Sequence, residues 1–274
     1  MIEPQITIEA GRVERQYWRD VWNYRGLFYF LAWRDILVRY KQTLVGVLWA
    51  FVRPFLTMVV FTVVFGRFAK LPDGGVPYPI LVFSALLPWQ FFSTAVTESG
   101  NSLVTNASMI SKVYFPRIVV PAASIITALM DSLISFGFLL ILFGWFSFMP
   151  AWQIIFLPLL ALCTCVTALG CGIWLAGLTV RYRDFRFVVP FLVQFGLYVS
   201  PVGYTTAVVP EPWRLAYSLN PMVGIIEGFR WAILGSADGF PLPSMALSLS
   251  VSGLLLWTSI LYFRSAERTF ADVI

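Results

Sequence analysis

The residues with most to explain chemically are three ionisable side chains inside long apolar stretches: Arg53, Glu98 and Asp131. A charge in hydrocarbon is costly and calls for a partner, a wet cavity or a functional role. Asp131 lies mid-way along its stretch and calls for a basic group on a neighbouring helix. Glu98 lies near the end of its own and can reach out toward the interface. Arg53 precedes Pro54, whose ring frees a carbonyl one turn back and can kink the helix. Structural pairing and a transport role fit Arg53 and Asp131 equally well, but three scattered charges do not make a proton relay.

A second set, Glu211, Arg214, Glu227 and Arg230, is the only group of paired carboxylates and cations of the kind a membrane-embedded transferase would need. Glu227 and Arg230, three apart on a short helix, pair most simply with each other. The chain has no histidine, which removes catalytic triads, imidazole acid–base chemistry and most metal sites. Cys163, Cys165 and Cys171 share one apolar stretch and read as small hydrophobes, with neither a disulfide nor a metal expected. A phosphate-cradling loop needs Gly-Lys followed by Ser or Thr, whereas Lys41, Lys70 and Lys112 follow Tyr, Ala and Ser. No nucleotide engine, no catalytic residue and no cofactor is therefore expected in this chain.

The elements that must position these residues are membrane helices. Of 274 residues 59% are hydrophobic and only 12% charged, with a mean hydropathy of +0.79, too little charge to clothe a soluble core of this size. Six stretches approach the roughly 20 apolar residues needed to cross a bilayer: 44–66, 80–99, 118–146, 154–178, 187–204 and 243–263. A seventh run, 222–234, is too short and is fenced by Asn220-Pro221 and Gly235, which predicts a re-entrant or interfacial hairpin with the segment before it. The first 25 residues carry eight charges and no apolar run, so no cleavable leader is expected. With the N-terminus inside, 14 of 19 Lys and Arg fall on the cytoplasmic side and four outside. The expected fold is an all-α membrane protein of six transmembrane helices with both termini cytoplasmic. Its parts are a cytoplasmic N-terminus (1–43), a six-span body (44–263) and a tail (264–274).

Within 27–42, Phe30, Trp33, Leu37, Tyr40 and Leu44 recur at steps of three and four while Arg34, Asp35, Arg39, Lys41 and Gln42 fill the other side, predicting an amphipathic interface helix. The third stretch, 29 residues or about 43 Å, must tilt or project beyond the bilayer. The pairs Gly46/Ala50 and Gly172/Ala176 have the spacing of closely touching helices. No resemblance between the two three-span halves is visible, so symmetry would come from a second copy of the chain. In the loop 102–117, Asn106 is placed to cap a helix from Ala107 to Tyr114, with Phe115-Pro116 as its stop. Met109, Ile110, Val113 and Tyr114 on such a helix would suit a groove on another protein. Aromatics make up 17% of the chain, and their faces suit sugars as well as lipid.

Several motifs occur together in order. They are Arg39-Tyr40-Lys41-Gln42 with Gly46, Leu48-Trp49 and Pro54, then Lys112-Val113-Tyr114-Phe115-Pro116-Arg117, then Val180-Arg181-Tyr182-Arg183-Asp184. Ser200-Pro201-Val202, Asn220-Pro221-Met222 and Phe270-Ala271-Asp272-Val273-Ile274 follow. This ordered set resembles the membrane subunits of ATP-binding-cassette exporters for polysaccharides, the family that exports lipid-linked O-antigen, capsule and teichoic-acid chains. The resemblance covers nearly the whole chain and leans toward the O-antigen and teichoic-acid branch.

The resemblance implies a homodimer in the bacterial cytoplasmic (inner) membrane, bound to two copies of an ATPase that carries ATP and Mg. A lipid-linked polysaccharide would pass through a channel at the dimer interface, and no nucleic acid is implied. The family's coupling helix corresponds to 106–116, giving Asn106, Met109, Ile110, Lys112, Val113, Tyr114, Phe115, Pro116 and Arg117 as ATPase contacts, with Arg181, Arg183 and Asp184 in the second cytoplasmic loop. Its outer gate corresponds to 205–235, where Tyr204, Asn220, Pro221, Glu227 and Arg230, with Pro201 ahead of them, are the gate candidates. Tyr40, Trp49, Arg53 and Asp131 are channel or interface candidates. The competing readings are a membrane-embedded glycan or lipid transferase, a passive channel, and an exporter of lipids or drugs.

Overall fold

A computed structural model describes residues 17–41, 44–72, 74–235 and 239–267, with the side chains of 44–47, 49 and 50 not described. The Trp49 side chain, the Gly46/Ala50 pair and the C-terminal motif lie outside the described residues. Every regular element among the described residues is helical. Two helices come first: α1 (Tyr17–Asn23) and α2 (Arg25–Tyr40). Next come α3 (Leu44–Phe61), α4 (Tyr78–Thr105), the one-turn α5 (Ala107–Ile110) and α6 (Val119–Trp145). Then follow α7 (Leu157–Arg181), α8 (Phe185–Val199), α9 (Glu211–Tyr217), α10 (Pro221–Leu234) and α11 (Leu242–Ala266). Five segments are long and apolar enough to cross a membrane: Phe51–Phe68, Tyr78–Thr105, Val119–Trp145, Trp152–Arg181 and Leu242–Ala266. The protein is a multi-pass membrane protein.

The α3 helix carries Pro54 in its interior and widens into a π-helix over Thr62–Phe68. There the Tyr78 ring lies against Gly66, where a Cβ would stand 2.9 Å from Tyr78 Cγ. The Tyr78 hydroxyl donates to the Gly203 carbonyl at 2.7 Å, tying the start of α4 to the segment after α8.

The α4 helix is the centre of the bundle, packing against α6, α7, α10, α3 and α8. It buries Ile80, Val82, Phe83, Ala85, Leu86 and Leu103 almost completely. A close approach to α7 occurs at Gly172, where a Cβ would meet Ser99 Oγ at 2.5 Å. The stretch predicted over 187–204 is shorter as a helix, the 15 residues of α8. Pro201 drives Ser200 into an extended conformation (φ −86°, ψ 153°) and ends the helix there. At 1.5 Å per residue α8 spans about 22 Å, less than the roughly 30 Å hydrocarbon thickness.

The short run becomes α10, with its predicted fences acting as caps. Asn220 Oδ1 accepts from the Met222 N–H at 3.0 Å, Pro221 takes the first helical position, and Gly235 closes the helix at φ 68°. α10 is buried against α11, α4 and α7, whereas α9 exposes Trp213 and Leu215. A Cβ at Gly224 would lie 2.5 Å from the Ser244 carbonyl oxygen, so α10 and α11 touch backbone to backbone.

The amphipathic helix presents its faces in an order that periodicity does not reveal. Phe30, Trp33 and Leu37 of α2 point outward, 59%, 50% and 36% exposed, as an apolar face turned to lipid would be. Arg34 and Arg39 on the polar side turn toward the rest of the chain.

Candidate functional site

Arg39, at the end of α2, bridges the two carboxylates that lie inside the apolar helices. Its Nη2 stands 2.7 Å from Asp131 Oδ2 on α6, and its Nη1 bonds Glu98 Oε1 on α4. The neighbouring Tyr40 hydroxyl donates to Asp131 Oδ1. Asp131 thus has the basic partner its position called for. Glu98, expected to reach alone to the interface, is instead held in an ion pair, because α2 brings a cation to it. Burial works against the Arg39 charge, but the attraction of Glu98 and then Asp131 outweighs it and raises its pKa. Burial first, and the bond to Asp131 second, push the Tyr40 phenol well above its ordinary value, so it stays protonated as a donor.

Beside this charge set lies a cavity of about 500 Å³ bounded by α3, α4, α6 and α8. Its lining includes the polar Arg53, Gln90, Ser93, Thr94, Asp131 and Gln194 and the apolar or aromatic Phe61, Leu86, Trp89, Leu197 and Tyr198. Helical spacing brings polar residues into the lining. Arg53 and Thr57 are one turn apart on α3, and Gln90, Ser93 and Thr94 share one face of α4. The hydroxyl of Thr57 is committed to the carbonyl of Arg53, and that of Ser135 to the carbonyl of Asp131, each within its own helix.

The loop 106–117 stands at one end of the bundle. The Asn106 side chain does not cap α5; it accepts from Arg34 Nη2 at 2.8 Å and donates to the Ser102 carbonyl at 2.9 Å. The helix predicted to reach Tyr114 ends at Ile110, and a turn follows. The apolar set is also divided. Ile110, Phe115 and Pro116 are buried in the chain itself, while Lys112, Val113 and Tyr114 face outward with Val113 55% and Tyr114 68% exposed. Met109 is half-buried. The loop's base is anchored twice more. Tyr24 donates to the Tyr114 carbonyl at 3.2 Å, and Arg117 donates from its backbone N–H to Glu267 Oε1 at 2.6 Å and from Nη1 to the Glu267 carbonyl at 2.7 Å. Tyr17 Oη donates to the same carboxylate at 3.2 Å. In the loop after α7, Arg181, Arg183 and Asp184 are exposed, with Arg181 over the Tyr182 ring.

At the opposite end of α4, Glu227 and Arg230 do not pair with each other as their spacing predicted. Glu227 accepts from Thr206 Oγ1 and, at 2.5 Å, from Ser244 Oγ. Arg230 is buried and donates to the carbonyls of Tyr204 at 2.8 Å and Val202 at 3.0 Å. The backbone after α8 leaves these carbonyls without a helical partner, which is why the guanidinium is drawn there. Burial lowers the Arg230 pKa to about 10, leaving it charged at neutral pH. Pro201 is buried beside this junction, and Tyr204 Oη bonds Tyr217 Oη at 3.0 Å. Glu211 and Arg214 form a separate exposed pair 3.9 Å apart, so the four groups of the transferase reading are not joined by ion pairs into one set.

A model of the ABC-2 type transporter family matches residues 26–234. The chain belongs to this family. The matched region holds the whole cavity, the loop 106–117 and the helices α9 and α10. The chain is similar to the O-antigen export system permease protein RfbA of Myxococcus xanthus, 29% identical over 260 residues that cover 93% of this chain and 98% of the relative. It is also similar to an RfbA of Klebsiella pneumoniae, 24% identical over 239 residues covering 85% and 91% of the two chains. The polysialic acid transport protein KpsM of Escherichia coli is 24% identical over 242 residues, covering 86% of this chain and 91% of that one.

In this ABC-2 chain the structure brings Arg53, Asp131 and Arg39 to one cavity, places Tyr40 against Asp131, and sets the loop 106–117 and the helix α10 at opposite ends. Sequence reasoning missed Arg39 as the bridging cation, Gln90 and Gln194 in the cavity wall, and Glu267 as an anchor of the loop. For Arg39 a signal existed, since two carboxylates in apolar stretches require a cation and the interface helix beside them carries several.

Proposed function

We propose that this chain is the transmembrane subunit of an ATP-driven exporter that moves a lipid-linked polysaccharide, with O-antigen as the favoured cargo, across the bacterial cytoplasmic membrane. The observation that carries the reading is a polar, arginine-bearing cavity among apolar helices, in an ABC-2 chain whose relatives are named O-antigen and polysialic acid transporters. Two copies face one another so that each cavity forms half of a channel; the exposed Phe191, Phe195 and Leu192 of α8 and Leu56 and Val60 of α3 supply apolar surface for that contact. α8, continued by residues 200–204, is the fifth of six spans. Both termini are cytoplasmic, a placement that the charge bias supports. The α9–α10 hairpin is re-entrant and closes the outer end.

ATP and Mg are bound by a separate ATPase, two copies per dimer, which docks on the exposed tip Lys112-Val113-Tyr114 and beside Arg181, Arg183 and Asp184. The buried Ile110, Phe115 and Pro116 then fasten the tip to α4 and α6 rather than touching the partner. The chain performs no covalent chemistry itself. Tyr114→Asp places a charge on the docking tip without touching the core, so surface glycan should be lost while the dimer still assembles and the partner still hydrolyses ATP. Unchanged glycan on the cell surface refutes the assignment.

A further inference from the structure

Arg53 is an exposed cation of the cavity lining that attracts Asp131 only from beyond ion-pair distance. The one carboxylate among the described lining residues, Asp131, is engaged by Arg39 and Tyr40, and Arg53 makes no side-chain hydrogen bond or ion pair among the described residues. The cavity's two carboxamides, Gln90 on α4 and Gln194 on α8, likewise make no hydrogen bond to the described residues. Three donor groups from three helices therefore border one space without a hydrogen-bond acceptor among the described residues. A guanidinium is a planar fork that matches the oxygens of a phosphate, and it is well suited to low-dielectric sites because it is weakly hydrated. The amides offer both donors and acceptors, which suits hydroxyl groups. The same lining includes the aromatic rings of Phe61, Trp89 and Tyr198.

We propose that Arg53 binds the phosphate through which a glycan is joined to its lipid, with Gln90 and Gln194 receiving the neighbouring sugar hydroxyls. The proposal rests on the reading that this cavity admits a lipid-linked glycan. It assigns the anion to the cargo and not to the surrounding bilayer. Arg53 lies one turn from Thr57 on the cavity face of α3, and the opposite side of α3 at that level is formed by apolar residues such as Phe55 and Val59. Arg39 is excluded as the phosphate ligand because its two carboxylates occupy it.

The test uses the purified full-length chain and two probes, a long-chain polyprenyl diphosphate and phosphatidylglycerol, with the bound fraction read by native mass spectrometry. Arg53→Gln should weaken polyprenyl diphosphate binding about ten- to hundredfold, the range for losing a charged hydrogen-bonding partner, and leave phosphatidylglycerol binding unchanged. Arg53→Lys keeps the charge, loses the fork and should show a smaller loss; it also serves if the glutamine variant fails to fold. Wild-type polyprenyl diphosphate binding in both variants overturns the proposal. Equal losses for the two lipids overturn it as well, since Arg53 would then be a bilayer headgroup anchor. The export reading is checked separately: if deleting the chain leaves surface glycan unaltered while Arg53-dependent diphosphate binding persists, the export reading falls and the phosphate site stands.

Discussion

Replacing Arg39 by methionine removes one cation and leaves two carboxylates without it. The side chains of Arg39, Glu98 and Asp131 are 36%, 29% and 18% exposed, so the set stands between a surface pair and a buried one. Exposed pairs contribute about 0–1 kcal/mol, and removing one partner of a fully buried pair costs about 3–5 kcal/mol. Two contacts at intermediate exposure place the loss at about 2–3 kcal/mol. For a chain of this size each kcal/mol moves a thermal midpoint by roughly 2–4 °C, so Arg39→Met should lower it by about 5–10 °C. The measurement is thermal unfolding of the detergent-solubilised protein followed by size-exclusion chromatography. Adding Glu98→Gln removes one of the stranded charges. The double variant should therefore be more stable than the sum of the two single losses by about 1 kcal/mol or more. A shift below about 1 °C for Arg39→Met, or strict additivity in the cycle, shows that the bridge contributes nothing and that α2 is held by other contacts.

Gly224→Ala forces a methyl to within 2.5 Å of the Ser244 carbonyl oxygen and should cost at least about 1–3 kcal/mol, whereas Gly253→Ala, with nothing within 4 Å, should be neutral; paired thermal midpoints decide it. Arg230→Met strands the carbonyls of Val202 and Tyr204, so the loss should be about 2–4 kcal/mol, with faster limited proteolysis confined to residues 200–210. Protection unchanged in that segment would show that Arg230 does not hold it.

Element positions were legible wherever they depend on neighbours in sequence. Asn220-Pro221 and Gly235 bound α10 as expected, because capping is decided within one turn. The early end of α8 was also written locally, in Pro201, but a window of apolar residues passes over a proline that the backbone cannot. The Tyr40–Asp131 contact joins residues 91 positions apart, and the Arg39–Glu98 contact residues 59 apart. Such pairs follow from which helices pack together, which periodicity does not encode. The same holds for α2. Spacing separates its two faces, but it does not say which is turned inward. In a soluble helix the apolar face would be buried. Here Phe30 and Trp33 face outward while Arg34 and Arg39 bond to the rest of the chain beside the buried Leu31 and Ala32, an order that an apolar surrounding medium would favour.

That inversion has a consequence for how the cavity is built. Arg39 and Asp131 both fasten α2 to the bundle and line the cavity, so the fastening and the wall share the same charges. A displacement of α2 that lengthens the Arg39 contacts leaves Asp131 less compensated and makes the space beside Arg53 more negative. An anion held there is then less welcome. By thermodynamic reciprocity, an anion that binds better when Arg39 is bridged must in turn favour the bridged position of α2. The attachments of the loop extend the linkage, since Arg34 of the same helix holds Asn106 and Tyr24 beside it holds the Tyr114 carbonyl. The Arg39→Met variant reads both halves of this coupling. Its thermal midpoint reports the fastening of α2, and its polyprenyl diphosphate binding should fall even though Arg53 is intact, because the cavity keeps Asp131 and has lost the charge that neutralised it.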